Sequence, residues 1–266
     1  MGKSSRSQKK PQPNRAQPLD RPGLEALLAG TFLAVLVSLL RQVTFFLSYF
    51  ITLVHELGHA FAAWLFGYAA VPAFDFLYGG GVTMQLESRF LLMVLAIWGS
   101  IGWLFWRCRR NAETMRWLLA ALVGYCLAYF TPLHEMLAVA MGHGFELLFA
   151  ALFLYRGLSG EGCRYSIERP LYVMLAVFTV LQGMHFSWQL LFDADFRSLY
   201  LAGKGGVIDN DFVRLARDYW GGIPLSVVAG SFLLTCPIAL VAGWGLFRYQ
   251  PHWQRGWLRL RQAEGN

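Results

Sequence analysis

The chain has 266 residues, of which 56% are hydrophobic and only 15% are charged. Because soluble domains carry about 25% charged residues, this composition argues against an ordinary soluble protein and favours lipid as the surrounding solvent. The net charge of +7 does not indicate nucleic-acid binding, since the basic residues cluster at the chain ends and in short loops between apolar runs, as in membrane proteins.

Residues 1–22 are polar, basic and proline-rich, which is typical of a disordered tail. Apolar runs close to the roughly 20 residues that a transmembrane helix needs then cover residues 24–40, 43–67, 90–106, 117–133, 134–155, 171–192 and 223–247. Lipid offers the backbone no hydrogen bonds, so these runs should be helical. The sequence predicts an all-α membrane protein: a polytopic bundle of about six or seven transmembrane helices within residues 23–248, followed by a basic cytoplasmic tail at 249–266.

The distribution of arginine predicts the orientation of this bundle. The loops 107–116 and 156–169 and the C-terminal segment are rich in arginine, which places them on the cytoplasmic side. The basic N-terminus favours the same side, which requires an even number of crossings. One early run should therefore be partial or re-entrant, unless the N-terminal tail is an exception. The predicted location is the bacterial cytoplasmic membrane, as an integral multi-pass protein.

Ionisable residues lie within the predicted spans, where burying them is costly and a functional role is the first hypothesis. They are His55, His59, His134, His143, His185, Glu56, Glu135 and Glu146. A lone histidine such as His185 is more simply explained by a hydrogen bond between helices. The cluster at residues 55–59 is different, because its spacing implies a mechanism.

His55-Glu56-Leu57-Gly58-His59 is an H-E-x-x-H motif near the middle of an apolar run. On a helix, residues i and i+4 share a face, so the two imidazoles can bind one metal ion. The adjacent glutamate can then act as general base towards a water that zinc activates at neutral pH. The motif predicts a zinc site with His55 and His59 as ligands and Glu56 as the catalytic residue.

The stretch VHELGHA in an N-terminal apolar helix resembles the site-two protease family of intramembrane zinc metalloproteases, and Gly58 and Ala60 match the small residues of that family's motif. The following YAAVPAFDFLYGGGVTMQ also resembles the family, in which a glycine-rich stretch forms a short re-entrant hairpin near the active site. The resemblance implies that Gly79, Gly80 and Gly81 belong to such a hairpin. Its strand edge could hold an unwound substrate by β-augmentation; a flexible surface loop is the alternative.

The third metal ligand departs from the family pattern. The family supplies an aspartate from an asparagine-proline-aspartate-glycine or leucine-aspartate-glycine motif on a later helix, and this chain has neither. Four aspartates that follow the 171–192 run are expected to lie too close to the membrane surface to reach a metal at mid-depth: Asp193, Asp195, Asp209 and Asp211. The segment 193–222 is expected to form a short helix over the site.

The run 134–155 offers other candidates for the third ligand. At about 100° per residue, Glu135 and Glu146 fall within about 20° of each other, and His143 lies about 60° from Glu146. These three residues therefore form one polar stripe on the helix. We expect His143 or Glu146 to complete a three-ligand zinc site with an open fourth position. A proton path or a hydrogen-bonding network between helices is the alternative role for the stripe.

The motif and the resemblance together imply an intramembrane zinc metalloprotease that hydrolyses a peptide bond of a transmembrane or membrane-proximal protein substrate. Two alternatives stay open. Glu56-x-x-His59 is also the spacing of di-iron helical bundles, which favours a membrane oxidoreductase with Glu135, His143 and Glu146 as further ligands. The chain lacks the second Glu-x-x-His motif that such bundles normally have. The other alternative is a scaffold or transporter that retains the motif without catalysis.

Overall fold

The structure, a computed structural model, describes residues 16–75, 80–203 and 209–254. The long helices are α1 (Arg21–Leu39), α2 (Arg41–Leu65), α3 (Leu91–Cys108), α4 (Ala112–Phe130), α5 (Leu133–Ser159), α6 (Glu168–Phe192) and α9 (Leu225–Arg248). Between α6 and α9 lie α7 (Ala194–Leu201), α8 (Asp211–Arg214) and a π-helical turn (Leu215–Tyr219). A single antiparallel pair of strands, β1 (Tyr68–Phe74) and β2 (Gly81–Arg89), follows α2 in the described part of the chain. The predicted helical bundle is confirmed.

Six of the described helices are long and apolar enough to cross a membrane: α1, α2, α3, α5, α6 and α9. The one remaining run of the sequence prediction, 117–133, falls mostly in α4. That helix begins before its apolar run because the Asn111 side chain caps it, accepting from the amides of Glu113 and Thr114 at 3.1 and 3.0 Å. Glu113 and Arg116 therefore lie inside the first turns of α4.

Glycines allow the central helices to approach closely. A Cβ added at Gly58 of α2 would lie 2.1 Å from the Met141 carbonyl oxygen of α5. A Cβ at Gly243 of α9 would lie 2.5 Å from the carbonyl oxygen of Ala151. Such small residues let helix backbones pack together where lipid supplies no hydrophobic driving force. By contrast, α3 has no buried residue and lies at the periphery of the described bundle.

The strands form a hairpin that folds back along α2. Gly67, with a φ of 86°, makes the reversal that follows α2, which a side chain would hinder. The Trp64 indole donates to the Ala70 carbonyl at 2.9 Å, and further along the hairpin the ring of Phe74 lies 5.7 Å from that of Tyr49. The far end of the hairpin thus reaches the middle of α2, and a hairpin is what the resemblance of this segment implied. Residues 76–79, including Gly79, lie outside the described residues.

The segment between α6 and α9 packs onto one end of the bundle. Phe212, Leu215 and Ala216 are buried and belong to the same apolar cluster as Val139 of α5 and Phe232 of α9. Their i, i+3, i+4 spacing gives the short helical segment an apolar face. The expected helix over the bundle is therefore present at Asp211–Tyr219.

The chain enters and leaves the bundle at the same end. The Gln17 amide donates to the Arg248 carbonyl at 2.9 Å, and the Arg248 guanidinium donates to the Gln17 carbonyl at 2.6 Å. The Asp20 side chain caps α1 by accepting from the Gly23 amide at 2.9 Å. Part of the predicted 1–22 tail is thus attached to the bundle. Residues 1–15 and 255–266 of the two predicted tails lie outside the described residues.

Candidate metal centre

The two motif histidines of α2 meet at their Nε2 atoms, which lie 3.0 Å apart. Both Nδ1 atoms are bonded to α5: that of His55 to Glu146 Oε1 at 2.8 Å, and that of His59 to the Ala138 carbonyl at 2.7 Å. A carbonyl and a carboxylate only accept hydrogen bonds, so each Nδ1 carries the proton. In the neutral imidazoles, both Nε2 atoms therefore present a lone pair to the space between them.

Asp211 supplies a third acceptor atom at the same point. Its Oδ2 lies 2.9 Å from His55 Nε2 and 3.2 Å from His59 Nε2. A carboxylate binds a metal ion in its ionised form, and this oxygen is placed to do so together with the two Nε2 atoms.

The expectation that Asp211 lies too shallow to reach the motif histidines is wrong. The chain after α6 folds back onto the bundle, and Phe212 is inserted between aromatic rings of α6 and α9, with centroids 5.6 Å from Phe186 and 5.4 Å from Phe232. This insertion brings Asp211, the first residue of α8, against α2. The i, i+3, i+4 apolar spacing directly after Asp211 is the sequence signal that could have indicated it.

The three acceptor atoms fit a tetrahedral metal ion. Ligands that lie about 2.0–2.1 Å from a tetrahedral zinc are about 3.3 Å from one another. The three separations here are 2.9, 3.0 and 3.2 Å. A divalent ion placed between these atoms would bind all three through their lone pairs, so the donor set fits a metal site. His55, His59 and Asp211 are the residues that would hold it.

Glu56 lies beside this triangle and is held by the hairpin. The residue is only 6% exposed, and Thr83 of β2 donates to its Oε2 at 2.7 Å. A Cβ at Gly81 would lie 2.4 Å from Glu56 Oε1, so glycine is needed there. Carboxylate and imidazole ligand atoms of Glu56, His55 and His59 lie within 4.8 Å of one another. The carboxylate is thus next to the histidine pair without being one of the three converging atoms.

The polar stripe of α5 reaches the motif from the other side. Glu146 accepts from His55 Nδ1 and, through Oε2, contacts His143 Nδ1 at 3.2 Å. It therefore lies on the Nδ1 side of His55, away from the atoms that Asp211 joins. A ligand atom of His143 lies within 4.8 Å of those of His55 and Asp211. The geometry favours Asp211 over His143 and Glu146 as third ligand and gives Glu146 an orienting position.

The remaining predicted residues lie around this centre or away from it. Gly80 is exposed next to the hairpin, whereas Gly81 packs against Glu56. His134 accepts from the Tyr68 hydroxyl at 3.1 Å and donates to the Thr131 carbonyl at 2.6 Å, which is a structural role at the base of the hairpin. His185 is exposed on α6.

A cavity of about 490 Å³ opens onto the metal-binding atoms and Glu56. One wall is β2, from which the alternate residues Gly81, Thr83, Gln85 and Glu87 line the cavity together with Val82, so mainly one face of the strand is presented. The other walls come from α5 and from the segment that carries Tyr200 and Asp211. The cavity is therefore shaped between a strand and the metal-binding residues.

A substitution at Gly142 tests whether the imidazoles of His55 and His59 must stay close to α5. A Cβ there would lie 2.5 Å from His59 Nε2 and 2.6 Å from His55 Nε2. We expect Gly142→Ala to displace the imidazoles and lower zinc affinity by about 10–100-fold, the range seen when ligand orientation is lost. Gly144→Ala is the matched control, because its only close neighbour is the flexible Met141 sulfur at 3.2 Å. Chelator competition measures both; equal affinities would contradict the prediction.

A substitution at Glu146 tests whether its hydrogen bond with His55 Nδ1 orients that imidazole for metal binding. Glu146→Gln keeps the shape of the side chain but removes the charge that accepts from two imidazoles. We expect zinc affinity to fall by about 10–100-fold, with folding judged by helical circular dichroism nearly unchanged. Glu135→Gln changes an exposed carboxylate of the same helix and should leave affinity at the wild-type value. A loss as complete as that of His59→Ala would instead indicate that Glu146 is itself a ligand.

Comparison with known proteins gives no relative from which these roles could be transferred: no family model, no curated protein and no solved structure matches the chain.

Proposed function

We propose that the protein is an intramembrane zinc metalloprotease, which hydrolyses a peptide bond of a transmembrane or membrane-proximal protein substrate. One observation carries the proposal. His55, His59 and Asp211 converge with the spacing of a tetrahedral metal site, and Glu56 lies directly beside them at a cavity bounded by a strand. Three protein ligands with an open fourth position are typical of catalytic rather than structural zinc sites.

The proposed location is the bacterial cytoplasmic membrane, as a multi-pass protein. The six long apolar helices support it. So does α3, which buries no residue yet exposes Leu91, Leu95, Trp103 and Trp106 by more than half. Such a surface is unfavourable in water and suits lipid. The contact between Gln17 and Arg248 agrees with basic ends on one side of the membrane.

In the proposed mechanism, zinc supplies Lewis-acid activation of a water molecule at neutral pH. Glu56 accepts a proton from that water as its oxygen bonds to the carbonyl carbon of the scissile peptide. When the carbon–nitrogen bond breaks, Glu56 returns the proton to the leaving nitrogen, which gives a new carboxyl terminus and a new amine. Thr83 holds the Glu56 carboxylate during these steps through its 2.7 Å hydrogen bond.

The hairpin provides a place for the substrate backbone. An extended segment added alongside β2 would lie against the cavity wall formed by residues 81–87, within reach of Glu56. A transmembrane helix must unwind to bind in this way, so unwound or glycine- and proline-containing helices are the expected substrates.

The di-iron alternative is less well supported by the described residues. A di-iron bundle needs carboxylates that bind two irons from four helices. Here Glu146 is engaged by two Nδ1 atoms, and Glu135 lies at the rim of the cavity, where the Tyr219 hydroxyl donates to it at 3.4 Å. Among the carboxylates that the structure describes, only that of Asp211 contacts the Nε2 atoms of both His55 and His59.

Elemental analysis of the purified protein distinguishes these classes. The proposal predicts one zinc per chain, lost on dialysis against a strong chelator and regained when zinc is added back. Two irons per chain, or no metal retained after exposure to either ion, would contradict it.

A further inference from the structure

Hydrolysis of a peptide bond places negative charge on the scissile carbonyl oxygen, and a donor fixed in advance at that point lowers the barrier. The Glu56 carboxylate accepts protons, so it cannot provide this hydrogen-bond donor. Among the described residues, the side-chain donors that line the cavity besides the motif histidines are Tyr68, Thr83, Gln85, His143, Tyr200, Asn210 and Arg214. Gln85 and Arg214 are exposed, Tyr68 donates to His134, and Asn210 donates to the Tyr200 carbonyl. The remaining candidates are His143, Thr83 and Tyr200.

Two of these donors are already engaged. The Thr83 hydroxyl donates to Glu56 at 2.7 Å. The His143 Nδ1 proton is directed to Glu146 at 3.2 Å, and the ring is enclosed by Phe212 and Phe232 with centroids 4.6 and 4.7 Å away. In its neutral form, His143 has no second proton to donate.

Tyr200 differs because its hydroxyl proton has no acceptor among the described residues. The hydroxyl oxygen accepts from the Phe212 amide at 3.3 Å, which uses a lone pair and leaves the proton directed elsewhere. Burial raises the pKa of this hydroxyl above its usual value, so it stays protonated. The phenol therefore bonds to the backbone of the residue that directly follows Asp211, whose carboxylate is the third ligand atom. Tyr200 also lines the cavity.

The surroundings of Tyr200 hold the phenol in place. Its ring packs against Phe186 and Phe212, with centroids 5.6 and 6.5 Å away. Its carbonyl accepts from the Asn210 side chain at 2.7 Å, which ties α7 to the start of α8. Because both the backbone and the ring of Tyr200 are held by neighbouring residues, its hydroxyl loses little conformational entropy when it donates to the reacting oxygen.

We infer that Tyr200 is a catalytic residue whose hydroxyl donates a hydrogen bond to the scissile carbonyl oxygen as that oxygen gains negative charge. The inference rests on the proposed function. The proton stays on the phenol throughout: water adds to the carbonyl carbon, Glu56 carries one proton to the leaving nitrogen, and the Tyr200 hydrogen bond is released when the new carboxylate forms.

Tyr200→Phe removes only the hydroxyl, and Tyr219→Phe removes the same group from a tyrosine of the same segment that bonds at the cavity rim. The probe is the host cell's own membrane-protein fraction reconstituted with the purified enzyme, and new carboxyl termini are counted by mass spectrometry. We expect Tyr200→Phe to slow cleavage by about 10²–10³-fold and Tyr219→Phe by less than about threefold. Zinc affinity should be unchanged in both variants.

A second readout separates a catalytic donor from a structural one. Glu56→Gln should bind substrate without cleaving it. The probe is the membrane protein that the wild type cleaves most rapidly, and the readout is the amount of it that co-purifies with Glu56→Gln. Adding Tyr200→Phe should leave this amount unchanged. Loss of zinc or of capture with Tyr200→Phe would show that Tyr200 acts by positioning Asp211, and wild-type cleavage rates would show that it has no role; either overturns the inference. If the wild type cleaves nothing, the proposed function fails, and this inference fails with it.

Discussion

Glu56→Gln should retain zinc at the wild-type stoichiometry and lower peptide-bond hydrolysis by at least about 10²-fold, the low end of what general acid–base catalysis contributes. The reason is geometric. The Glu56 carboxylate is held by Thr83 beside the three converging ligand atoms, so it can carry protons without binding the ion. A glutamine has nearly the same shape but cannot accept a proton. Cleavage and metal content are measured on the same purified sample.

The control for this variant is Glu25→Gln, which neutralises an exposed carboxylate of α1 that pairs with Arg21. It should change neither zinc content nor cleavage by more than about threefold. The three functional classes give different patterns for Glu56→Gln: zinc kept and cleavage lost for the protease, metal lost for a di-iron enzyme in which Glu56 is a ligand, and no effect for a scaffold or transporter. Zinc retained with full cleavage would rule out Glu56 as the base.

Asp211→Ala should reduce zinc affinity by more than about 100-fold, because replacing a residue that merely orients a ligand already costs about 10–100-fold. Two imidazoles alone hold zinc poorly in competition with a chelator. We expect the loss to match that of His59→Ala, measured by competition with a fluorescent zinc chelator.

Asp209→Ala is the matched control for Asp211→Ala. Asp209 lies two residues away, also lines the cavity, and pairs with Arg217 at 2.8 Å on the surface. A surface ion pair contributes little, so zinc affinity should stay within about threefold of the wild type. If Asp209→Ala and Asp211→Ala behaved alike, or if His143→Ala alone removed the metal, the assignment of Asp211 as third ligand would be wrong.

The helices and the motif were predictable because each depends on local sequence. Apolar runs of about 20 residues become helices whatever their neighbours, and the i, i+4 spacing of His55 and His59 places both on one helix face. The hairpin beside α2 was expected only from the resemblance of the glycine-rich segment to the family, and the structure adds that Gly81 packs against Glu56.

Asp211 was missed because its position depends on tertiary contacts. A hydropathy profile gives the membrane depth of a residue only through its distance along the sequence from the nearest apolar run. Asp211 is 19 residues beyond the end of α6 at Phe192, so the sequence placed it near the membrane surface. Its actual depth is set by the packing of Phe212 between Phe186 and Phe232. Similarly, helical rotation placed Glu146 on the face towards α2, but it does not specify which imidazole nitrogen of His55 the carboxylate contacts.

Hydrolysis in water labelled with heavy oxygen tests the central claim most directly. Wild-type protein, reconstituted with the host membrane-protein fraction, is stripped of metal, given zinc and incubated in labelled water, and new carboxyl termini are identified by mass spectrometry. We predict that new termini each carry one labelled oxygen and appear with zinc, and that they are absent from the metal-stripped wild type and reduced at least about 10²-fold in Glu56→Gln. New termini that form equally without zinc or with Glu56→Gln, or no new termini under any condition, would contradict it.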